Sequence, residues 1–584
     1  MGNGFVSYLN SMNNASGDNI NALAEAQVNN KYYKNIKVDR KLGKFIVNKI
    51  NSGEKNTFII SGYAGDGKTS ILSQILNELG MLKDNEKLEI NDIKNKDDIS
   101  LMYVKDMSEL KLEEQEHLLK ESLKAPNDNK TAILISNTGP LIKTFSRVFG
   151  KNEEKKDEIE DVLLQQLDEN KLEKINVDGN EFYLINIARV DNIGFVSEVI
   201  EKICKDDLWE KCDKCENLNK CHICFNKQCI ISNKERVIEF VEKYYRWLRE
   251  NDKRITIRQM ISQLSFSITG NLNCEDIKKF DDKGFCKFNY NFANLFFGYR
   301  GIGKIEEANQ IKAIELLQES SLDDFSLEQD YDIFVKNNFN YFSDDIKEVL
   351  EDIWSKFSRK FYFSQLNDED NFINKQQELR KSIRRFFLVY GILESIEEKD
   401  KLYSQIYGPM FVKYEKLISK KASKSDLNNL NKIIFSALYM KNIGVLPKEN
   451  MLYLTLTKSE NVVQKVFLLL AETDNKKFKV EQKKNNIEVE DIKESYSLEF
   501  VIKGRERIKL GLPLLDYFYS IVNGEISTDI NPALSHGIDK INNMLVKQFR
   551  EENNEDVMSL ILVDSQNNIK KINIDLSEDN IIFE

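Results

Sequence analysis

The most specific chemical motif in this chain is the glycine-rich loop Gly62–Thr69, GYAGDGKT, which fits G-x-x-x-x-G-K-[ST] at every position. Glycines let such a loop wrap until its backbone N–H groups face an anion, and a following helix adds the positive end of its dipole. Lys68 would reach the β- and γ-phosphates, and the Thr69 hydroxyl would ligate Mg²⁺. The loop therefore predicts a nucleotide site that includes the following residues: Gly62, Gly65, Gly67, Lys68, Thr69 and Ser70.

Hydrolysis needs further polar groups, and two apolar runs end in them. Asp106 ends ISLMYVKD and is the candidate second Mg²⁺ ligand, of the Walker B kind, with Glu109 as the candidate general base. Alternatively, Asp106 only caps the helix that begins near Leu110. Asn137 ends TAILISN and would orient the attacking water, as a sensor-1 residue does, or would simply form a turn. Lys68, Asp106, Glu109 and Asn137 are thus the predicted catalytic residues.

The cysteines predict a metal site. Six of the eight lie between positions 204 and 229, and the segment CDKCENLNKCHIC contains two C-x-x-C pairs. Two such pairs offer four thiolates to one tetrahedral ion, and Zn²⁺ is the default, with an Fe–S cluster as the alternative. The predicted ligands are Cys212, Cys215, Cys221 and Cys224, with His222 and Cys229 as spare candidates. Reduced thiols on a surface loop are the alternative interpretation.

Basic residues offer three further candidates. Arg254 or Arg258 would reach the γ-phosphate from a helical lid, as a sensor-2 arginine does, and we take Arg258 as the nucleotide-binding candidate. Arg300 would serve a neighbouring subunit as an arginine finger. A strip that begins at Arg380 would bind DNA phosphates, although a charge run is more often a solvated helix face. Its residues are Arg380, Lys381, Arg384, Arg385, Lys413, Lys416, Lys420, Lys421 and Lys424.

The elements around the loop predict an α/β fold. Thr57–Ser61 is a short apolar run that suits a buried strand, and helical spacing follows it. Further strands are predicted at 87–91 (weakly), 99–106, 131–137 and 181–188, with helical stretches between them. This alternation implies a parallel sheet with its ligand site at the strand C-termini. Without the strand at 87–91, Asn137 would take the Walker B place.

The remaining chain predicts a mostly helical region and a small C-terminal α+β module, in which 557–563 and 569–574 form a hairpin. The predicted fold class is an AAA-like P-loop NTPase core with a parallel sheet, followed by these two parts. The predicted segments are a helical N-terminal lead-in (1–45), the ATPase core (46–200), a Cys-rich metal-binding insertion (201–235), a helical lid (236–304), a helical domain (305–450) and the α+β module (451–584).

Composition excludes several classes of protein. Among the 584 residues, 41% are hydrophobic and only 6 are Pro, which favours real cores and long helices over disorder. The net charge of −11 excludes a whole-surface nucleic-acid binder. No apolar run approaches the roughly 18 residues of a membrane span, and no secretory signal is evident, so we expect a cytoplasmic protein. The three histidines form no recognisable triad or metal motif, which argues against a nuclease or protease.

The order of these features resembles the DptF-like ATPase subunits of DNA phosphorothioation-dependent restriction systems and related bacterial anti-phage ATPases. The resemblance covers roughly residues 50–300 and rests on SGYAGDGKTSIL, ISNTGPL, NIAR, the paired cysteines and RITIRQMISQLSFSITG, with KSIRRFF beyond. It implies an ATP-driven subunit of a defence complex that acts with partner subunits on invading DNA.

Two hypotheses of function follow. In the first, the chain binds and hydrolyses ATP with Mg²⁺ and couples the nucleotide state to conformational change or DNA handling. ATP is favoured over GTP because no N-K-x-D signature stands at a suitable strand end. In the second, the chain is a nucleotide-sensing scaffold, or a signalling NTPase with little turnover, that recruits a separate effector. Double-stranded DNA and an oligomer remain possible partners in both.

Overall fold

The structure is a computed structural model, and it divides into two units. The first unit comprises residues 1–249, 254–398 and 486–492, and the second comprises 250–253, 399–485 and 493–584. The residues that the structure describes are 2–13, 30–63, 65–82, 86, 88–280, 283–364, 369–456, 466–485, 489–490, 495–503, 506–525, 532–550, 557–564, 566–575 and 582–583.

A six-stranded, mostly parallel sheet with helices on both faces forms the centre of the first unit, as predicted for its α/β core. Its elements, in chain order, are α1 (Gly4–Met12), α2 (Tyr33–Ile36), α3 (Lys41–Asn51), β1 (Thr57–Ser61), α4 (Lys68–Glu78), β2 (Asn91–Lys96), β3 (Ile99–Val104), α5 (Leu112–Lys124), β4 (Thr131–Ser136), α6 (Thr138–Phe149), α7 (Glu153–Glu169), β5 (Lys174–Val177), β6 (Asn180–Asn186) and α8 (Val196–Ile203).

The strand order is β2-β3-β4-β1-β6-β5. Strand β1 is central and pairs in parallel with β4 on one side and with β6 on the other, while β3 runs parallel to β4. The two edge strands are antiparallel to their neighbours. The glycine-rich loop therefore leaves the carboxyl end of a central strand, with the ends of β4 and β6 beside it.

Alternating side chains of the central strands enter two different cores. Phe58 and Ile60 of β1 pack with α3 and α4, whereas Ile59 packs on the opposite face with α5, α6 and α7. Strands that are buried on both faces need apolar residues at successive positions, which explains the continuous run TFIIS. The two cores hold β1, and with it the start of the loop, from both sides.

Three of the predicted strands after β1 are confirmed, but the weak prediction at 87–91 is wrong. A strand still precedes β3, but it lies at Asn91–Lys96 and forms an antiparallel hairpin with β3. Asp106 therefore still follows β3, and Asn137 keeps its place after β4. Most residues of Asn91–Lys96 are exposed, so this strand lacks the apolar run that marks a buried parallel strand. The short strand β5 was also not predicted, because it is a half-exposed hairpin partner of β6.

The rest of the first unit is mostly helical. It contains one small hairpin, β7 (Tyr299–Arg300) with β8 (Gly303–Lys304). Its helices are α9 (Glu210–Asp213), α10 (His222–Ser232), α11 (Lys234–Glu250), α12 (Ile257–Thr269), α13 (Cys274–Lys278), α14 (Lys283–Asn289), α15 (Phe292–Phe296), α16 (Lys312–Ser320), α17 (Asp330–Phe334), α18 (Asp344–Ser364) and α19 (Glu369–Tyr390).

The second unit combines helices with two small antiparallel sheets, ordered β16-β15-β14-β10-β9 and β11-β12-β13. The predicted terminal hairpin is confirmed as β14 with β15. The elements are α20 (Ile396–Tyr407), α21 (Pro409–Ser419), α22 (Lys424–Ile443), β9 (Met451–Leu456), β10 (Val466–Asp474), β11 (Phe478–Asn485), β12 (Ser495–Ile502), β13 (Glu506–Leu510), α23 (Leu512–Val522), α24 (Pro532–Phe549), β14 (Val557–Val563), β15 (Ile569–Asp575) and β16 (Ile582–Phe583).

No helix among the described residues is both long enough and apolar enough to cross a membrane.

Candidate functional site

The glycine-rich loop owes its shape to two residues in the left-handed region. Gly65 has φ +89° and Gly67 has φ +88°, a backbone conformation that other residues adopt only with strain. A Cβ at Gly65 would also lie 3.0 Å from the Thr256 hydroxyl oxygen, so the backbone there passes close to the start of α12. Gly67 is the N-cap of α4, whose first turn begins with Lys68. The 11-residue helix α4 therefore begins directly at the end of the loop, and its N-terminus faces the inside of the loop.

Lys68 is the centre of the site. Its Nζ donates to the carbonyl oxygens of Gly62 (2.7 Å) and Tyr63 (2.9 Å) and to Oδ1 of Asn137 (2.9 Å). Burial lowers its pKa, and the nearby carboxylates of Asp106 and Asp66 oppose that shift. The side chain is 6% exposed, so a cation is held inside the loop by polar acceptors.

The predicted residues at the ends of β3 and β4 lie together. Asn137, directly after β4, bonds Lys68 through its side chain, and its N–H donates to the hydroxyl of Ser108 (2.8 Å). Asp106 accepts from the N–H of Ser108 (2.9 Å) and is half-buried. Asp106 therefore both caps the short turn Met107–Glu109 and acts electrostatically on Lys68.

Glu109 is in a different environment from Asp106. It is exposed, at the end of the same turn. The carboxylates that act on Lys68 are those of Asp106 and Asp66, and Glu109 is not among them. The general base predicted three residues beyond Asp106 is therefore solvent-exposed, in contrast to the half-buried Asp106.

Asp66 inside the loop is buried and is held by two donors. Its Oδ2 accepts from the N–H of Tyr63 (2.8 Å) and from Nη1 of Arg254 (3.0 Å), and its side chain is fully buried. The guanidinium of Arg254 also lies 5.9 Å from the centre of the Tyr63 ring. Arg254 therefore braces the loop, which differs from the γ-phosphate role considered for it.

A pocket lies beside the loop, and Arg258 lines it. Its other lining residues include the loop residues Gly65 and Gly67, Ser70 of α4 and several residues from the chain before β1. Besides Arg258, the lining residues from outside the loop and α4 are Met12, Tyr33, Lys37, Val38, Arg40, Ile257 and Ile261. Arg258 and Ser70, both predicted from the sequence, thus lie at one pocket.

Thr69 and Gly62 complete the predicted set. Thr69 is half-buried in the first turn of α4, and its carbonyl accepts from the hydroxyl of Ser73 (3.0 Å). Gly62 is buried, and a Cβ there would lie 2.7 Å from the side chain of Ile187. The hydroxyl of Thr69 and the carboxylate of Asp106 are the oxygen ligands that Mg²⁺ prefers. With Lys68 and the start of α4, the arrangement can hold a polyphosphate and its cation.

Three predicted zinc ligands form a cluster of thiols. The Cys224 thiol lies close to Cys212 and Cys221, and its interaction with them lowers the pKa of both. Cys215 is exposed. Asn3 donates from its side chain to Sγ of Cys212 (3.3 Å) and from its backbone to Sγ of Cys274 (3.4 Å).

Cys274 is close enough to act electrostatically with Cys212, Cys215 and Cys221, so the fold adds a fifth thiol from α13 that the spacing did not predict. Across the described residues, no group of three or more His, Cys, Asp or Glu side chains is arranged as a formed metal site. The chemistry of the set, several thiols drawn together from separate elements, still suits a tetrahedral Zn²⁺ or an Fe–S cluster.

The two spare metal candidates have other partners. Nε2 of His222 contacts the carbonyl of Thr269 (3.0 Å), and burial lowers its pKa to about 4, so the ring is a neutral core residue. Cys229 is 1% exposed, and burial raises its pKa. Neither belongs to the thiol cluster.

The predicted basic strip is contradicted at one of its residues on α19. Arg385 is fully buried, and its Nε donates to Asp323 at 2.6 Å. Arg384 forms a close pair with Asp330, and Lys381 pairs with Asp324. The helical spacing was correct, but carboxylates of the preceding segment neutralise these three cations. Arg300 is exposed and donates to the hydroxyl of Tyr290 (3.3 Å).

Comparison of this chain with protein-family models, with curated proteins and with solved structures found no match.

Proposed function

We propose that this chain is a P-loop ATPase: it binds ATP with Mg²⁺ at the glycine-rich loop and hydrolyses it. The observation that carries the proposal is the position of Lys68, whose Nζ lies among the loop carbonyls and 2.9 Å from Asn137 at the end of the neighbouring strand. A γ-phosphate would take the place of those carbonyls as the partner of the ammonium group. Thr69 and Asp106 would hold Mg²⁺, which neutralises the phosphate charge when bound.

The cellular role in the proposal comes from the resemblance to DptF-like restriction ATPases. In that role the chain is a cytoplasmic subunit of a bacterial anti-phage complex that couples its nucleotide state to conformational change or DNA handling. Its partners would be other subunits of the complex, with double-stranded DNA contacted through a local basic patch outside α19. The remaining candidates for such a patch are the lysines from Lys413 to Lys424, of which Lys416 forms an ion pair with Asp400.

The test is phosphate release from ATP by the purified chain, with and without double-stranded DNA. We expect release that depends on Mg²⁺, and stimulation by DNA if the chain handles DNA directly. Tight ATP binding without release in either condition would contradict the hydrolytic half of the proposal.

The second candidate is a nucleotide-sensing scaffold or signalling NTPase with little turnover that recruits a separate effector. The exposed position of Glu109 favours it, because the general base predicted from the sequence is not among the carboxylates that act on Lys68. ATP-dependent assembly without phosphate release is the outcome that would select this candidate over the first.

Replacement Asp106→Asn tests the proposed Mg²⁺ ligand. We expect turnover to fall by about 100-fold or more, because the amide keeps the hydrogen bond from Ser108 but removes the charge that holds the cation. Glu109→Gln, on the same turn, should change turnover less than about threefold. Steady-state phosphate release over a range of Mg²⁺ concentrations measures both. Equal falls in turnover in the two variants would show that Asp106 is not the Mg²⁺ ligand.

Zinc is the proposed metal of the thiol cluster, with an Fe–S cluster as the alternative. We expect close to one Zn²⁺ per purified chain, and Cys212→Ser should remove most of it, since Cys212 shares the cluster with Cys224 and with Asn3. Cys204→Ala is the matched control. Elemental analysis measures the metal, and an iron signal with visible absorption would select the alternative. Metal-free protein with wild-type thermal stability would contradict both.

A further inference from the structure

Arg40 is a buried arginine beside the glycine-rich loop with part of its hydrogen-bonding capacity unused. It directly precedes α3 and is 3% exposed. Its Nε donates to Oε1 of Glu490 (2.8 Å), and its guanidinium lies 4.7 Å from the centre of the Phe195 ring. Its other two nitrogens, Nη1 and Nη2, are buried and have no hydrogen-bond partner among the described residues. Buried donors without acceptors are uncommon, because each costs free energy that a ligand oxygen would recover.

The free end of this guanidinium points at the loop. Arg40 lines the same pocket as Gly65, Gly67 and Ser70, and a Cβ built on Gly67 would lie 4.0 Å from Nη1. Gly67 is the N-cap of α4, so these N–H groups lie near the positive end of the helix. An oxyanion in the pocket would receive hydrogen bonds from Arg40 as well as from the loop.

Glu490 determines which nitrogens of Arg40 remain available. Its Oε1 takes the Nε donor, and its Oε2 accepts from the backbone N–H of Lys41 (3.0 Å). The Glu490 side chain is 5% exposed, and the neighbouring Val489 is part of the core that contains α3 and α4. Glu490 thus ties the Arg40 side chain and the start of α3 together.

We propose that Arg40 binds a phosphate oxygen of the nucleotide and that Glu490 is the residue that positions it. This inference rests on the proposed nucleotide site and extends it, since neither residue belongs to the glycine-rich motif. Glu490 lies 450 positions after Arg40, in the segment between β11 and β12. The affinity for nucleotide therefore depends on a short piece of the C-terminal region that folds into the first unit.

A double-mutant cycle on the full-length chain tests the pair. The variants are Arg40→Met, Arg40→Lys, Glu490→Gln and the double variant Arg40→Met/Glu490→Gln, with Glu54→Gln at an exposed ion pair of Lys49 as the control. Calorimetry gives the Kd of Mg-ATP and of Mg-ADP, and thermal unfolding without nucleotide reports folding. Wild type and Lys68→Ala are measured beside them.

We expect Arg40→Met to weaken ATP binding about 10- to 100-fold, which is the loss of affinity expected when one charge-assisted hydrogen bond is removed. Arg40→Lys should recover part of that loss, since its charge remains. Glu490→Gln should weaken binding about threefold to tenfold when Arg40 is present and less than twofold when it is absent, because it acts through Arg40.

Two results would overturn the proposal. One is an ATP affinity of Arg40→Met within twofold of wild type. The other is an equal loss of ATP affinity on adding Glu490→Gln to the wild type and to Arg40→Met. A fall in thermal stability with unchanged Kd would mean that the pair is only structural, which also overturns it. The proposed nucleotide site itself fails only if the wild type does not bind ATP or if Lys68→Ala binds and hydrolyses it normally. The two failures are therefore distinguishable.

Discussion

Lys68→Ala is expected to abolish ATP turnover, with a fall in kcat of at least about 100-fold, the usual cost of removing one preorganised group that stabilises transition-state charge. Lys68 is the buried cation inside the loop, and three acceptors hold its Nζ at the concave side. Alanine removes both the charge and the reach toward the terminal phosphates. Phosphate release at saturating Mg-ATP measures the effect, and nucleotide binding measured separately shows whether affinity falls as well.

The matched control is Lys44→Ala. Lys44 is an exposed lysine of α3, so its loss removes the same charge from the same unit without touching the loop. We expect the control to keep wild-type turnover. Wild-type turnover in Lys68→Ala would mean that the loop is not the catalytic nucleotide site, whatever the behaviour of the other variants.

Arg385→Met is expected to lower the free energy of unfolding by about 3–5 kcal/mol, the cost of leaving one partner of a buried ion pair alone. Arg385 is fully buried, and it donates to Asp323 (2.6 Å), to the carbonyl of Gly301 (2.9 Å) and to Asn294 (3.2 Å). Its guanidinium also lies 3.6 Å from the centre of the Tyr299 ring. After the change, the carboxylate of Asp323, itself 8% exposed, would have lost this counter-ion.

Lys381→Met on the same helix is the control for this prediction. Lys381 pairs with Asp324 near the surface, with 29% of its side chain exposed, and such pairs contribute about 0–1 kcal/mol. Denaturant unfolding of the full-length chain, followed by a signal from the first unit, compares the two. If Arg385→Met instead weakened DNA binding and left stability unchanged, Arg385 would be a DNA-contacting residue and its structural role would be refuted.

Local patterns were enough to predict the elements around the loop. The run TFIIS, the following glycines and the helical spacing after Lys68 predicted strand, loop and helix, because each signal depends on residues within a few positions of one another. The strands that end before Asp106 and Asn137 were predicted for the same reason. The parallel arrangement then brought their polar ends together, as expected for the carboxyl edge of such a sheet.

Other features depend on the partners that the folded chain supplies. The strand at 91–96 is mostly exposed, so no apolar run marked it, and its antiparallel direction follows from a tight hairpin with β3. The periodicity of α19 was visible, but the burial of Arg385 depends on Asp323, which lies 62 positions earlier. Cys274 joins the other thiols from a separate helix, beyond the reach of the C-x-x-C spacing.

By itself, then, the sequence determined the glycine-rich loop, its flanking strand and helix, and the polar residues Asp106 and Asn137 at the strand ends. Only the tertiary structure decided that Asn137 contacts Lys68, that Glu109 is exposed and that Arg40 is held by Glu490. The physical reason is one of range. Propensity, periodicity and loop chemistry act over a few residues, whereas the partner of a buried charge is chosen by packing between elements that lie far apart in the sequence.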